Sequence, residues 1–89
     1  MKIEELIKYL QNNQGKKYIL VLEGIINTNI IINMSKIEFN NMYLLINNSE
    51  NEKEKIILNL HQLIRFNMIE KNTIVLEFDQ LQTVYITIK

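Results

Sequence analysis

Residues 17–23 read KYILVLE, and this stretch decides the fold. Tyr18, Leu20 and Leu22 fall on one side of it, Ile19 and Val21 on the other. Period two is the spacing of a β-strand, and a strand apolar on both faces reads as a central one covered on both sides. Upstream the period changes. Ile3, Leu6, Ile7 and Leu10 stand at i, i+3, i+4 and i+7, which predicts an amphipathic helix over 2–13. Glu4 and Glu5 lie in its first turn, where the helix dipole favours negative charge, and Glu4 with Lys8 makes an i,i+4 pair. Gly15 is the stop signal, and the helix is the natural cover for one face of 17–23.

Downstream the period stays at two. Residues 29–34 alternate Ile30, Ile32 and Met34 against Ile31, after a turn-rich Asn27-Thr28-Asn29. Ile37 and Phe39 continue an alternation, and Asn40-Asn41 reads as a hairpin turn because Asn tolerates positive φ. Residues 42–47 form the return strand. Residues 48–54, NSENEKE, are seven polar residues in a row and read as a surface loop. The stretch 53–68 carries two spacings. Ile56, Leu58 and Leu60 fit strands, whereas Ile57, Leu60, Ile64 and Met68 also fit a helix. Residues 73–78 and 83–88 alternate cleanly, separated by turns at 70–72 and 79–82, and Thr83, Tyr85 and Thr87 suit a half-exposed pleated face. The expected fold is α+β: an N-terminal amphipathic helix packed on an antiparallel meander sheet of five to seven short strands, closed into a small barrel or folded as a sandwich. Apolar side chains on both faces of several strands exceed what one helix can cover, so the sheet folds on itself or a partner buries the rest, a second copy included.

Composition narrows the function. The 89 residues suffice for one domain over 1–89, and 47% of them are hydrophobic, enough for a core without staples. There is no cysteine, which removes disulfides, thiolate metal sites and cysteine nucleophiles and fits a reducing compartment. The N-terminus lacks the basic-then-apolar pattern of a signal peptide, and no apolar run reaches the ~20 residues of a membrane span, so a cytoplasmic location and no membrane partner are expected. Net charge is zero, whereas nucleic-acid binders usually carry a basic excess, so nucleic acid is not expected as a direct ligand. Asn, Ile and Lys are abundant while Ala, Pro and Trp are absent, the signature of an AT-rich coding sequence such as a bacterial or phage one.

Chemistry-bearing constellations are sparse. His61 is the only histidine, with no Asp or Glu within four residues, and reads as a hydrogen-bonded surface side chain. Ser35 and Ser49 are the only serines, neither in a nucleophile-elbow context, and the single Asp79 sits in a turn. Glu50, Glu52 and Glu54 share the polar loop, and Glu70, Glu77 and Asp79 the last hairpins. A catalytic carboxylate needs burial or a close neighbour to displace its pKa, and these segments are solvated. The loop also lacks the glycine and spacing of a calcium site. With two glycines in the chain, no phosphate loop exists. No enzyme activity, cofactor or metal is expected.

The short helix followed by GKKYILVLEG, residues 15–24, resembles the opening of Sm-like small barrels over about a quarter of the chain. The resemblance implies an RNA- or single-stranded-DNA-binding barrel. Asn33 and Asn47 are not embedded in the ring-lining signature of that family, so no RNA-contacting residue carries over. The leading expectation is a non-catalytic protein-binding module. Its size and composition fit a phage or mobile-element accessory inhibitor, an anti-CRISPR-like anti-defence protein that occludes a partner surface. An exposed strand edge or the acidic loop Glu50–Glu54 is expected to meet a basic, nucleic-acid-binding groove on the partner, and the candidate contact residues are Glu50, Glu52 and Glu54, with Tyr43 and Glu70. An oligomeric structural subunit is the third reading.

Overall fold

The computed structural model describes residues 2–89. One helix is followed by eight strands: α1 (Ile3–Asn12), β1 (Tyr18–Glu23), β2 (Thr28–Ile32), β3 (Ser35–Asn40), β4 (Tyr43–Asn48), β5 (Asn51–Asn59), β6 (Leu63–Glu70), β7 (Thr73–Phe78) and β8 (Gln82–Ile88). A single 3₁₀ turn, Leu60–Gln62, separates β5 from β6. The fold is α+β and mostly sheet, as the periodicities predict, with one strand more than the expected range.

The strands form two antiparallel sheets. One has five strands in the order β2-β1-β8-β7-β6, the other three in the order β3-β4-β5. Every consecutive pair of strands therefore stands side by side or faces across a change of sheet, and β8 pairs with β1 from Tyr18↔Ile88 to Glu23↔Thr83. This is the order of a meander bent round into a ring. The ring does not close, which corrects the small-barrel alternative. The reason at β2/β3 is local. Gly15 N–H donates to the Ser35 carbonyl (2.8 Å), Ser35 N–H to the Lys16 carbonyl (3.3 Å), and Ile37 N–H to Gln14 Oε1 (2.9 Å). The edge of β3 that β2 would otherwise occupy is already taken by the segment after the helix. At β5/β6 the 3₁₀ turn swings the chain from one sheet to the other, started by Asn59, whose Oδ1 accepts from His61 N–H at 3.0 Å.

The helix extends over the residues its spacing marks, and Leu6, Ile7 and Leu10 enter the core. Inward side chains come from both sheets: Leu20, Ile74, Leu76 and Ile86 from the larger, Leu44 and Ile46 from the smaller, all fully buried. Tyr18 is also fully buried and donates its hydroxyl to the Leu10 carbonyl at 2.9 Å, tying β1 to the end of α1. Burial pushes the pKa of that hydroxyl well above the usual tyrosine value, and the nearby Tyr9 adds to the rise.

One open reading is decided and two expectations need correction. The stretch 53–68 is strand, turn and strand, so its helical spacing is not used. Leu58 and Leu60 are buried while Ile57 and Ile64 are exposed, which is a two-fold rather than a 3.6-fold burial pattern around each strand. The polar run 48–54 is not one loop. Ser49 and Glu50 make the turn, Asn48 pairs with Asn51, and pairing then jumps to Asn47↔Lys55, leaving residues 52–54 as a bulge on β5. The β3–β4 turn is Asn41-Met42, both at positive φ, one residue later than expected. That register turns Leu44 and Ile46 inward, and a one-residue slip would turn them out.

The expected cover on both sides of β1 is also absent. Both the helix and the smaller sheet lie on the side of Tyr18, Leu20 and Leu22, while Ile19 and Val21 stand half-exposed on the other. No helix among the described residues is long and apolar enough to cross a membrane.

Candidate partner-binding cleft

Between β5 and the β1–β2 and β7–β8 turns opens a cleft of about 390 Å³. Its floor is Leu22, Ile56, Leu58, Phe78 and Val84. Polar groups enter from Asn59, Gln62, Asp79 and Gln82. Large aliphatic side chains crowd its rim. Ile25 is 67% exposed, Ile26 57% and Ile57 53%, and Leu81 on the adjoining turn is 90% exposed. Exposed aliphatics contiguous with an apolar hollow are the usual mark of an interaction surface.

The rim is held in place by side-chain to backbone bonds. Asn27 closes the β1–β2 turn on itself: its Oδ1 accepts from Gly24 N–H (3.0 Å) and its Nδ2 donates to the Gly24 carbonyl (2.7 Å). Gln82, at the start of β8, reaches across to the same turn. Its Oε1 accepts from Ile26 N–H (2.8 Å), and its Nε2 donates to the carbonyls of Glu23 (3.1 Å) and Ile26 (3.0 Å). Gly24 itself, at φ +135°, lies against the Leu81 carbonyl, where any Cβ would overlap that oxygen. Ile25, Ile26 and Leu81 are thus presented by a braced pair of turns.

One wall of the cleft is the C-terminal half of β5. Among the described residues this strand lies at the edge of its sheet, pairing with β4 alone. Its N-terminal half is blunted by the bulged charges Glu52, Lys53 and Glu54, a common device against edge-to-edge pairing. From Lys55 to Asn59 the pairing with β4 is regular, and the side chains there are Ile56, Ile57 and Leu58. A second hollow of about 390 Å³, between α1 and the β3–β4 turn, is bordered by Glu4 and Lys8 and has Phe39, 36% exposed, as its exposed apolar side chain. It has neither the apolar rim nor the open strand edge of the first.

The residues singled out from the sequence fall elsewhere. Glu50, Glu52 and Glu54 are brought together at the β4–β5 tip. There Glu54 accepts from Asn48 and Asn51 Nδ2 groups, both at 3.2 Å, while Asn48 and Asn51 side chains bond the backbone of Glu50 and Lys53. Tyr43 is at the opposite end of β4, paired with Asn59 and 44% exposed on the outer face of the smaller sheet. Glu70 ends β6 in the other sheet, paired with Thr73. His61 is exposed in the 3₁₀ turn. No three His, Asp or Glu side chains gather into a metal-binding group among the described residues. The cleft went unmarked in the sequence. Its available signal was Ile25-Ile26 and Leu81, aliphatic residues placed inside turns.

No protein family, curated protein or solved structure matches the chain.

Proposed function

We propose that the chain is a protein-binding module that receives an extended, apolar segment of its partner in the cleft between β5 and the β1–β2 turn. The observation that carries this reading is the coincidence of three features at one place: an apolar floor, three exposed aliphatics on braced turns with a fourth, Ile57, on β5, and an unpaired strand edge. An extended peptide laid along residues 55–59 adds main-chain hydrogen bonds to the open edge of β5. It sends alternate side chains toward Leu58 and Phe78. The module acts by occupying a partner's surface, the mode of an occluding inhibitor.

Peptide display against immobilised protein tests this, with the Ile26→Asp/Ile57→Asp variant as counter-target. Enriched peptides are expected to share aliphatic or aromatic anchors at alternate positions and to lose binding to the variant. Failure to enrich any peptide, or equal binding to both proteins, overturns the proposal. Circular dichroism of the variant verifies that it folds, since both positions are exposed.

A further inference from the structure

On the reverse side of the same sheet lies a surface unrelated to the cleft. In β1, β8 and β7 the fully buried Leu20, Ile86, Ile74 and Leu76 alternate with Ile19, Val21, Tyr85 and Val75, which stay outside the core. The registers align these outward residues into rows. Val21 stands opposite Tyr85 and Tyr85 opposite Val75; Ile31 stands opposite Ile19 and Ile19 opposite Thr87. The flanks are Asn29, Asn67, Thr83 and Thr87. The charges lie along two sides of the face: one outer row holds Glu23, Glu77 and Arg65, the last two paired at 3.0 Å, and Glu70 stands opposite Thr73 at the end of β6. The outer face of the smaller sheet differs, with Lys36, Glu38 and Lys55 flanking Leu45 and Asn47.

From these observations we infer that the outer face of the five-stranded sheet is a homodimer interface, its occupant a second copy of this chain stacked face to face. A two-fold interface sets a patch against itself, so any net charge in it meets a like charge. The central row of this face, Asn29, Val21, Tyr85, Val75 and Asn67, has no charge and therefore suits itself. Two twisted antiparallel sheets stack with strands about 30° apart at about 10 Å, and β-branched and aromatic side chains interdigitate well at that spacing. Five strands about 4.8 Å apart and about six residues long present roughly 480 Å² per copy, so the pair covers on the order of 1,000 Å². That is the lower end of specific interfaces and corresponds to a weak, reversible dimer. A net charge of zero leaves no long-range repulsion between copies.

Sedimentation velocity over about 5–500 µM tests the inference, that range bracketing a micromolar dimer. A concentration-dependent rise from monomer to dimer is expected. Val75→Lys, which puts an unpaired charge in the central row, should weaken the dimer at least about tenfold while circular dichroism and Tm stay near wild type. Gln11→Lys, exposed on α1, should leave it unchanged. A protein that stays monomeric to the top of the range overturns the inference, as does a dimer that Val75→Lys leaves intact or that Gln11→Lys abolishes.

Discussion

Replacing Gln82 with Ala removes one acceptor and two donors from the β1–β2 turn without touching the pairing of β8. The bonds lost are those to Ile26 N–H at 2.8 Å and to the carbonyls of Ile26 and Glu23 at 3.0 and 3.1 Å. Each such bond contributes about 0.5–1.5 kcal/mol net; water can replace part of each because the groups are near the surface, so the sum is about 1.5–2.5 kcal/mol. Urea denaturation should show the midpoint falling by that amount of stability with the slope m unchanged. A residue-specific readout accompanies it. The Ile26 amide, whose acceptor is the deleted side chain, should exchange with solvent as a free loop amide does, while the amides of β1 and β8 keep their protection. Asn27→Ala disturbs the same turn from the other side, so the double variant should cost less than the two single changes combined. A loss below about 0.5 kcal/mol, together with unchanged exchange at Ile26, would refute the view that Gln82 braces the rim.

Gly24→Ala should destabilise by more than about 2 kcal/mol, because the added Cβ meets the Leu81 carbonyl and the φ of +135° is closed to side-chain-bearing residues; a thermal melt reads it. The raised pKa of Tyr18 means that the folded state holds its proton more tightly than the unfolded state. Stability from this group is therefore complete below pH 10, the ordinary tyrosine value, and should fall by up to about 1.4 kcal/mol per pH unit above it, a slope that Tyr18→Phe removes in urea titrations at pH 9–11. Leu44→Ala, at a fully buried position where the small sheet meets the large one, should cost about 2–5 kcal/mol by equilibrium unfolding.

The parts of the fold that were legible in the sequence are those set by local periodicity. The helix is marked by Ile3, Leu6, Ile7 and Leu10 with Gly15 behind them, and the last two hairpins by β-branched alternation between Asn- and Asp-bearing turns. The division into two sheets was not legible. It depends on the edge of β3 being claimed by Gln14, Gly15 and Lys16, a long-range choice of backbone partner that no alternation encodes. The polar run 48–54 misled for a related reason: a bulged edge strand and a loop have the same composition, because both face water. The cleft was partly encoded. Ile25, Ile26 and Leu81 break the rule that turns are polar, but which turns stand next to each other is fixed only by β8 lying beside β1.

The position of β8 also governs how the chain reaches this structure. It is the eighth of the eight described strands in chain order and the middle strand of its sheet, with β1 on one side and β7 on the other. Hairpins β1–β2, β3–β4, β4–β5, β6–β7 and β7–β8 can form from neighbours in sequence, but the second edge of β1 has to wait for β8, whose pairing with it runs from Glu23↔Thr83 to Tyr18↔Ile88. Closing so long a loop costs conformational entropy before any core contact repays it, which slows folding relative to the local hairpins. During synthesis the two halves of the larger sheet stay apart until the seven-residue β8 emerges. Until then the inner faces of β1 and β7, Leu20 and Leu76 among them, are open to aggregation or to a chaperone. Deleting residues 82–88 would therefore split the larger sheet in two rather than fray one edge of it.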